Sequence, residues 1–287
     1  MKDPRHYQIA ALSVLLAYGM TRLGFDVTPE RAALIVGTAL LTQWVCSRLA
    51  RIGFDPRSAL ISALSLCLLL RSDSALPLAA GALIAVASKF VIRVRGKHVF
   101  NPTDGAIVAL MLLTDRVWVS PGQWGNVAFF AFLITCLGGL VVNRASRSDV
   151  TYAFILFYCA LMFGRSLWLG EPTTIPLHRL ENGALLLFTF FMISDPRTTP
   201  DARTGRILFA AIVAFGAWYI QFRMFRTNGL LWSLAFCSML TPLIDLVLRA
   251  SRYTWIPQPP NAATRQRQGE PTCTLDASTS PSLSFSR

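Results

Sequence analysis

Apolar stretches recur from Ile9 to Leu248, with only short polar segments between them. A water-soluble fold of this length has no interior large enough to hide so many. Inside hydrocarbon every backbone N–H and C=O must be paired within the protein, so each stretch must be a helix or a strand of a closed barrel. The stretches are not alternating ten-residue segments, which argues against a barrel. Charged residues make up 15% of the chain, where a soluble domain carries roughly 25%. The mean hydropathy of +0.48 agrees. The expectation is an all-α integral membrane protein. The first stretch does not read as a cleavable signal, because no small-residue cleavage site follows it and further spans do.

A crossing needs about 20 residues, or 17 to 25 with tilt. The pattern predicts ten transmembrane helices near 7–23, 30–50, 58–71, 74–92, 102–115, 124–143, 149–170, 180–195, 204–222 and 227–249, forming a domain over 1–250. With the N-terminus in the cytoplasm, 19 Lys and Arg fall on the inner side against 8 outside. That bias places both termini in the cytoplasm, as an even number of crossings requires; a bacterial-type inner membrane is the expected location. The net charge of +12 is spread over these short loops rather than gathered on one face, which argues against nucleic acid as a partner. Residues 251–287 shift to Pro, Ser, Thr, Gln and Arg, and are expected to be a disordered basic cytoplasmic tail. Cys46, Cys67, Cys136, Cys159 and Cys237 lie in apolar runs and Cys273 in the tail. None forms a CxxC pair, so neither a disulfide framework nor a metal site is expected.

Ten helices divide into five plus five, and an odd number per half makes the halves antiparallel. The third helix of each half is short: 58–71, and the core Gly183–Ser194 that ends at Asp195–Pro196. Short helices at matching positions point to two inverted five-helix repeats around a central site. The alternative is a helix that tilts little between snorkelling arginines.

Three segments offer chemistry. Phe100-Asn101-Pro102-Thr103-Asp104-Gly105 opens the fifth helix. Asn101 suits the N-cap, Pro102 the first helical position, and Asp104 stands where it can bond back to the cap. This is an ordinary helix start, or a helix N-terminus aimed at an anion, with Lys97 and His98 just upstream. Ser194-Asp195-Pro196-Arg197-Thr198-Thr199-Pro200 is a turn with Asp195 at the membrane boundary. Thr241-Pro242-Leu243-Ile244-Asp245 lies inside the tenth helix, as a kink with a snorkelling acid or as an ion ligand. Ser120-Pro121-Gly122-Gln123-Trp124-Gly125 reads as an outside turn. No HExxH, Walker loop, GxGxxG or Ser-His-Asp arrangement appears, and His6, His98 and His178 lack metal-ligand spacing.

These segments, with Leu137-Gly138-Gly139-Leu140, Phe190–Thr199 and Gly205-Arg206-Ile207-Leu208-Phe209, resemble over roughly residues 85–250 the RnfD/NqrB family, found in Rnf complexes and in Na⁺-pumping NADH:quinone reductases. The resemblance implies ten helices in two inverted repeats, partner subunits of a redox complex, and electron transport through flavins coupled to Na⁺ or H⁺ translocation. It also implies FMN esterified to a threonine of an S-G-A-T-like motif in the outside loop after the fifth helix. Here that loop runs only from Thr114 to Trp124 and lacks the motif, so covalent FMN is not expected. A non-covalent flavin, riboflavin or FMN, is the cofactor expectation, contacted by Lys97, Asn101, Thr103, Thr198 and Thr199. Asp104, Asp195 and Asp245 are then assigned to the ion path. The chain reads as an electron-relay or non-catalytic subunit of an ion-translocating oxidoreductase. The alternatives are a non-redox small-solute or ion transporter on the same scaffold, and an assembly scaffold.

Overall fold

The computed structural model describes residues 3–119, 127–180 and 182–253, with the backbone alone at 127–134. The expected turn at 120–125 and all of the tail beyond Tyr253 lie outside the described residues.

The chain is mainly helical, and its helices fall on the apolar runs. The first five are α1 (Pro4–Arg22), α2 (Pro29–Leu49), α3 (Arg57–Leu69), α4 (Ala75–Val91) and α5 (Pro102–Leu113). Then come α6 (Val127–Arg144), α7 (Ser148–Leu169), a short α8 (Thr174–Leu180) and α9 (Gly183–Leu187). The last described helices are α10 (Arg203–Phe222), α11 (Gly229–Ser238) and α12 (Thr241–Val247). Three of them, α2, α7 and α10, are long and apolar enough to cross a membrane alone, and α11 with α12 makes a fourth candidate.

Inside a bilayer lipid is as apolar as leucine, so helices associate through close packing rather than escape from water. The buried stripe Ala210, Ala214 and Ala217 of α10 is built for this, and α10 packs along α7. Ala82 and Ala85 repeat the device on α4, which packs along α2. Gly138 of α6 is forced: a Cβ there would lie 2.5 Å from that of Phe190. Large apolar side chains such as Leu49, Leu76, Val91 and Trp168 stay exposed.

Several boundaries correct the sequence expectation. The helix expected at 58–71 stops at Leu69, and Leu70–Ser72 instead forms strand β1, paired antiparallel with β4, Val117–Val119. A second ribbon joins β2 (Arg93–Val94) to β3 (Lys97–His98). The helix expected at 227–249 is two helices, α11 and α12, bent by 47°. Pro242 is not a mid-helix kink; it occupies the first turn of α12, where its missing N–H costs nothing. The stretch expected at 180–195 becomes α9 followed by a π-turn, Phe188–Met192. Its wider winding is marked by the Ile193 N–H donating to the Phe188 carbonyl at 3.0 Å.

Candidate functional site

The densest polar cluster lies where the starts of α5 and α10 meet the ends of the π-turn and of α12. Asn101 caps α5 as expected, its Oδ1 accepting from the Thr103 N–H at 3.1 Å and the Asp104 N–H at 3.3 Å. Its Nδ2 donates to the Met192 carbonyl at 3.1 Å, tying the start of α5 to the end of the π-turn. Asp104 departs from expectation. Its carboxylate does not bond back to the cap: it is 0% exposed, and neither oxygen has a hydrogen-bond partner among the described residues. A carboxylate buried without a donor is costly unless a proton or a cation compensates it.

Lys97 sits at the tip of the β2–β3 ribbon. Its ammonium lies 2.7 Å from Asp245 Oδ2 and 3.1 Å from Asp201 Oδ1, with the three side chains 10–15% exposed. It also donates to the Thr199 carbonyl at 2.9 Å. The Asp201 N–H donates to Asp245 Oδ1 at 2.8 Å. One cation thus joins the ribbon, the turn before α10 and α12. Arg206 extends the network, donating to the Asp201 carbonyl at 2.6 Å and to Asp149 Oδ2 at 2.8 Å.

Asp195 heads the turn after the π-turn. Its Oδ1 accepts from the Arg197 N–H at 3.0 Å. The Thr198 and Thr199 hydroxyls donate to its carbonyl at 3.3 and 3.0 Å. Thr103 approaches the Ser62 carbonyl at 3.5 Å. The eight residues singled out in the sequence therefore do gather at one end of the helices. Thr198 and Thr199, however, turn their hydroxyls inward to shape a turn.

Sequence reasoning missed Lys89, Asp201 and Arg71. Lys89 is 3% exposed and donates to the Ser58 carbonyl at 2.7 Å and to Ser58 Oγ at 3.1 Å. The signal is a lone lysine in the apolar run Ala85-Val86-Ala87-Ser88-Lys89-Phe90-Val91, inside the helix expected at 74–92. His98 lies near Lys89, Arg93 and Arg197. Burial and these three positive charges push its imidazole down to about 3, so it is neutral at physiological pH. At the same end Asp3, Arg5, Asp55 and Arg57 close a ring of four ion pairs at 2.6–2.8 Å, fastening α1 to α3. Burial alone would raise the Asp55 carboxyl, yet hydrogen bonds from Arg57 and Arg5 outweigh it and hold the group at about 2.

The five side chains expected to contact a flavin are engaged within the protein. Lys97 is occupied by two acids and a carbonyl, and Asn101, Thr103, Thr198 and Thr199 are buried in internal bonds. The open volume beside Lys97 and His98 is about 240 Å³, below the usual 300–1,000 Å³ of a small-molecule site.

The model of the NQR2, RnfD, RnfE family matches residues 111–254, half of the chain. That stretch includes Asp195, Thr198, Thr199, Asp201 and Asp245, and leaves out Lys97, Asn101, Thr103 and Asp104. The RnfD subunit of the ion-translocating oxidoreductase complex of Escherichia coli O9:H4 (strain HS) is 30% identical over 137 residues, 46% of this chain and 36% of that protein. The same subunit of Buchnera aphidicola subsp. Schizaphis graminum is 35% identical over 78 residues, 27% of this chain and 22% of its own. That of Pectobacterium carotovorum subsp. carotovorum (strain PC1) is 29% identical over 136 residues, 46% and 36%. The matched part of the chain spans about a third of the length of these relatives, or less. On the matched half and the apolar helices that carry it, this multi-pass helical membrane protein belongs to the NQR2, RnfD, RnfE family.

Proposed function

We propose that the chain is a membrane subunit of an ion-translocating oxidoreductase complex, working with partner subunits in a bacterial-type inner membrane. The observation that carries this reading is the family match over 111–254, with relatives whose names give that complex. The geometry adds ionisable groups gathered at the ends of short apolar helices. Asp104, buried and unpartnered among the described residues, is the residue best suited to take a proton or cation in transit. Asp195 and Asp245 are assigned to the same ion path, and both are engaged, Asp195 with the Arg197 N–H and Asp245 with Lys97.

Ten crossings in two inverted repeats, with both termini cytoplasmic, complete the reading. Packing supports the repeat. In the first half α1 packs on α3, α2 on α4 and α4 on α5. In the second half α6 packs on α9 and the π-turn, α7 on α10, and α10 on α11. Across the halves α1 meets α6 and α5 meets α11, first with first and fifth with fifth. The exposed apolar side chains suit contact with lipid. A flavin held without a covalent bond belongs to this reading.

The test is purification from native membranes under mild detergent. The expected result is a complex containing redox subunits, with extractable flavin in the preparation. A colourless chain that purifies alone, yet carries ion or solute flux in liposomes, would overturn the redox role in favour of a plain transporter.

A further inference from the structure

The opposite end of the same helices holds a larger cavity, about 390 Å³, that runs beside the short α9 from Asn182 at its start to Met192 at the end of the π-turn. Its floor is apolar, formed by Leu69, Leu185, Phe188 and Leu231. Its mouth carries two guanidiniums, Arg179 and Arg226. No acidic residue is among the described residues that line it. Arg179 is engaged through its face, 4.8 Å over the Phe222 ring, which leaves guanidinium N–H groups to donate in the plane.

A second observation points the same way. α11 opens onto this cavity at Gly229, and no side chain caps it among the described residues. Asn228, the residue in the cap position, adopts a left-handed backbone with φ of 58° and sends its amide to Met111 Sδ at 3.6 Å. The free N–H groups at the start of a helix favour an anion. Gly229 itself cannot carry a side chain, because a Cβ would lie 2.8 Å from the Ala217 carbonyl oxygen. The wall beside it is held by the Tyr158 hydroxyl donating to Gln221 Oε1 at 2.9 Å.

We propose that this cavity binds a phosphate-bearing amphiphile. The phosphate lies between Arg179, Arg226 and the uncapped start of α11, and the apolar part rests on Leu185 and Phe188. The planar, weakly hydrated guanidinium suits bidentate phosphate recognition, and the floor offers nothing polar to a second charge. Two sources share this chemistry: the headgroup of an anionic lipid and a free organic phosphate.

The full chain in detergent is titrated with phenyl phosphate and with benzyl alcohol, its uncharged counterpart. Phenyl phosphate is expected to bind at least tenfold more tightly, and Arg179→Gln with Arg226→Gln is expected to remove that preference. Circular dichroism and melting temperature check that the double variant is folded; phenyl phosphate binding by Leu185→Glu, which charges the floor, provides an independent reading and is expected to be lost. Nanodiscs of phosphatidylglycerol and of phosphatidylcholine separate the sources. Phosphatidylglycerol retained in native mass spectra and displaced by phenyl phosphate assigns the lipid headgroup; phenyl phosphate binding without retained lipid assigns the free phosphate. Equal affinity for the charged and uncharged probes, or a double variant that binds phenyl phosphate as the parent does, would overturn the proposal.

Discussion

The Lys97 end and the Arg226 end of this molecule treat charge in opposite ways. At the Lys97 end one ammonium is set against two carboxylates, four more charged groups close into a ring, and Lys89 is bonded to Ser58. Charges there serve as fasteners between elements far apart in sequence. At the Arg226 end two arginines border a cavity that no described acid lines. The same kind of charge is structural where it meets an opposite charge out of water, and available for recognition where it does not. The sharpest contrast lies within the first end, where Asp104 is fully buried and has no hydrogen-bond partner among the described residues.

The largest expected effect breaks the fastener. Lys97→Met leaves Asp201 and Asp245 facing each other without their cation, and removing one partner of a buried pair costs about 3–5 kcal/mol. The measurement is unfolding in a detergent titration; an unchanged midpoint would mean that the cluster is solvated after all.

The second effect is pH dependence. His98 in the fold titrates at about 3 against an ordinary 6.5, so below pH 6.5 the unfolded chain takes up a proton that the folded chain refuses. Stability should fall as pH drops from 6.5 toward 3, by at most about 1.4 kcal/mol per pH unit, and His98→Gln should flatten that limb.

A smaller limb belongs to Asp55, whose folded carboxyl at about 2 lies below its ordinary 3.8. Its contribution is complete above about pH 5 and is lost as pH falls through 4 toward 2. With the side chain 34% exposed, solvent screening keeps it below about 1 kcal/mol. Asp55→Asn should remove this limb and leave the His98 limb intact. Smallest of all is Arg226→Gln at the open end, expected to change the melting free energy by no more than about 0.5 kcal/mol. A loss of several kcal/mol there would erase the contrast between the two ends.

Helix positions were legible because an apolar run between charged or Gly/Pro-rich segments leaves the backbone few options in a membrane. The break between α11 and α12 was not, since Phe236–Leu240 is apolar on both sides of it and hydropathy does not register a bend. β1 was hidden because its partner β4 lies beyond two further helices, and the pairing of Leu70 with Val119 has no local signature. Arg71 reads as a loop cation, yet it is 3% exposed and donates to the Cys67 and Leu70 carbonyls at the end of α3. Within the site, Asn101 was readable as a cap from local rules. The partners of Lys97 were not, because Asp201 and Asp245 reach it only through the packing of α10 and α12. Asp104 stood out for a bond it does not make.

The π-turn at Phe188–Met192 also has a meaning in angular phase. Each residue of an α-helix advances its side chains by about 100° around the axis, and a π-turn holds one residue more than α winding would allow for the same rise. Deleting a single residue there, Thr189 for example, would relax the segment to α winding and rotate everything beyond it by roughly that angle. Asn101 would then meet a different carbonyl than that of Met192, and the turn headed by Asp195 would be carried round with it. One surplus residue sets the azimuth at which the second half presents its acid to the first.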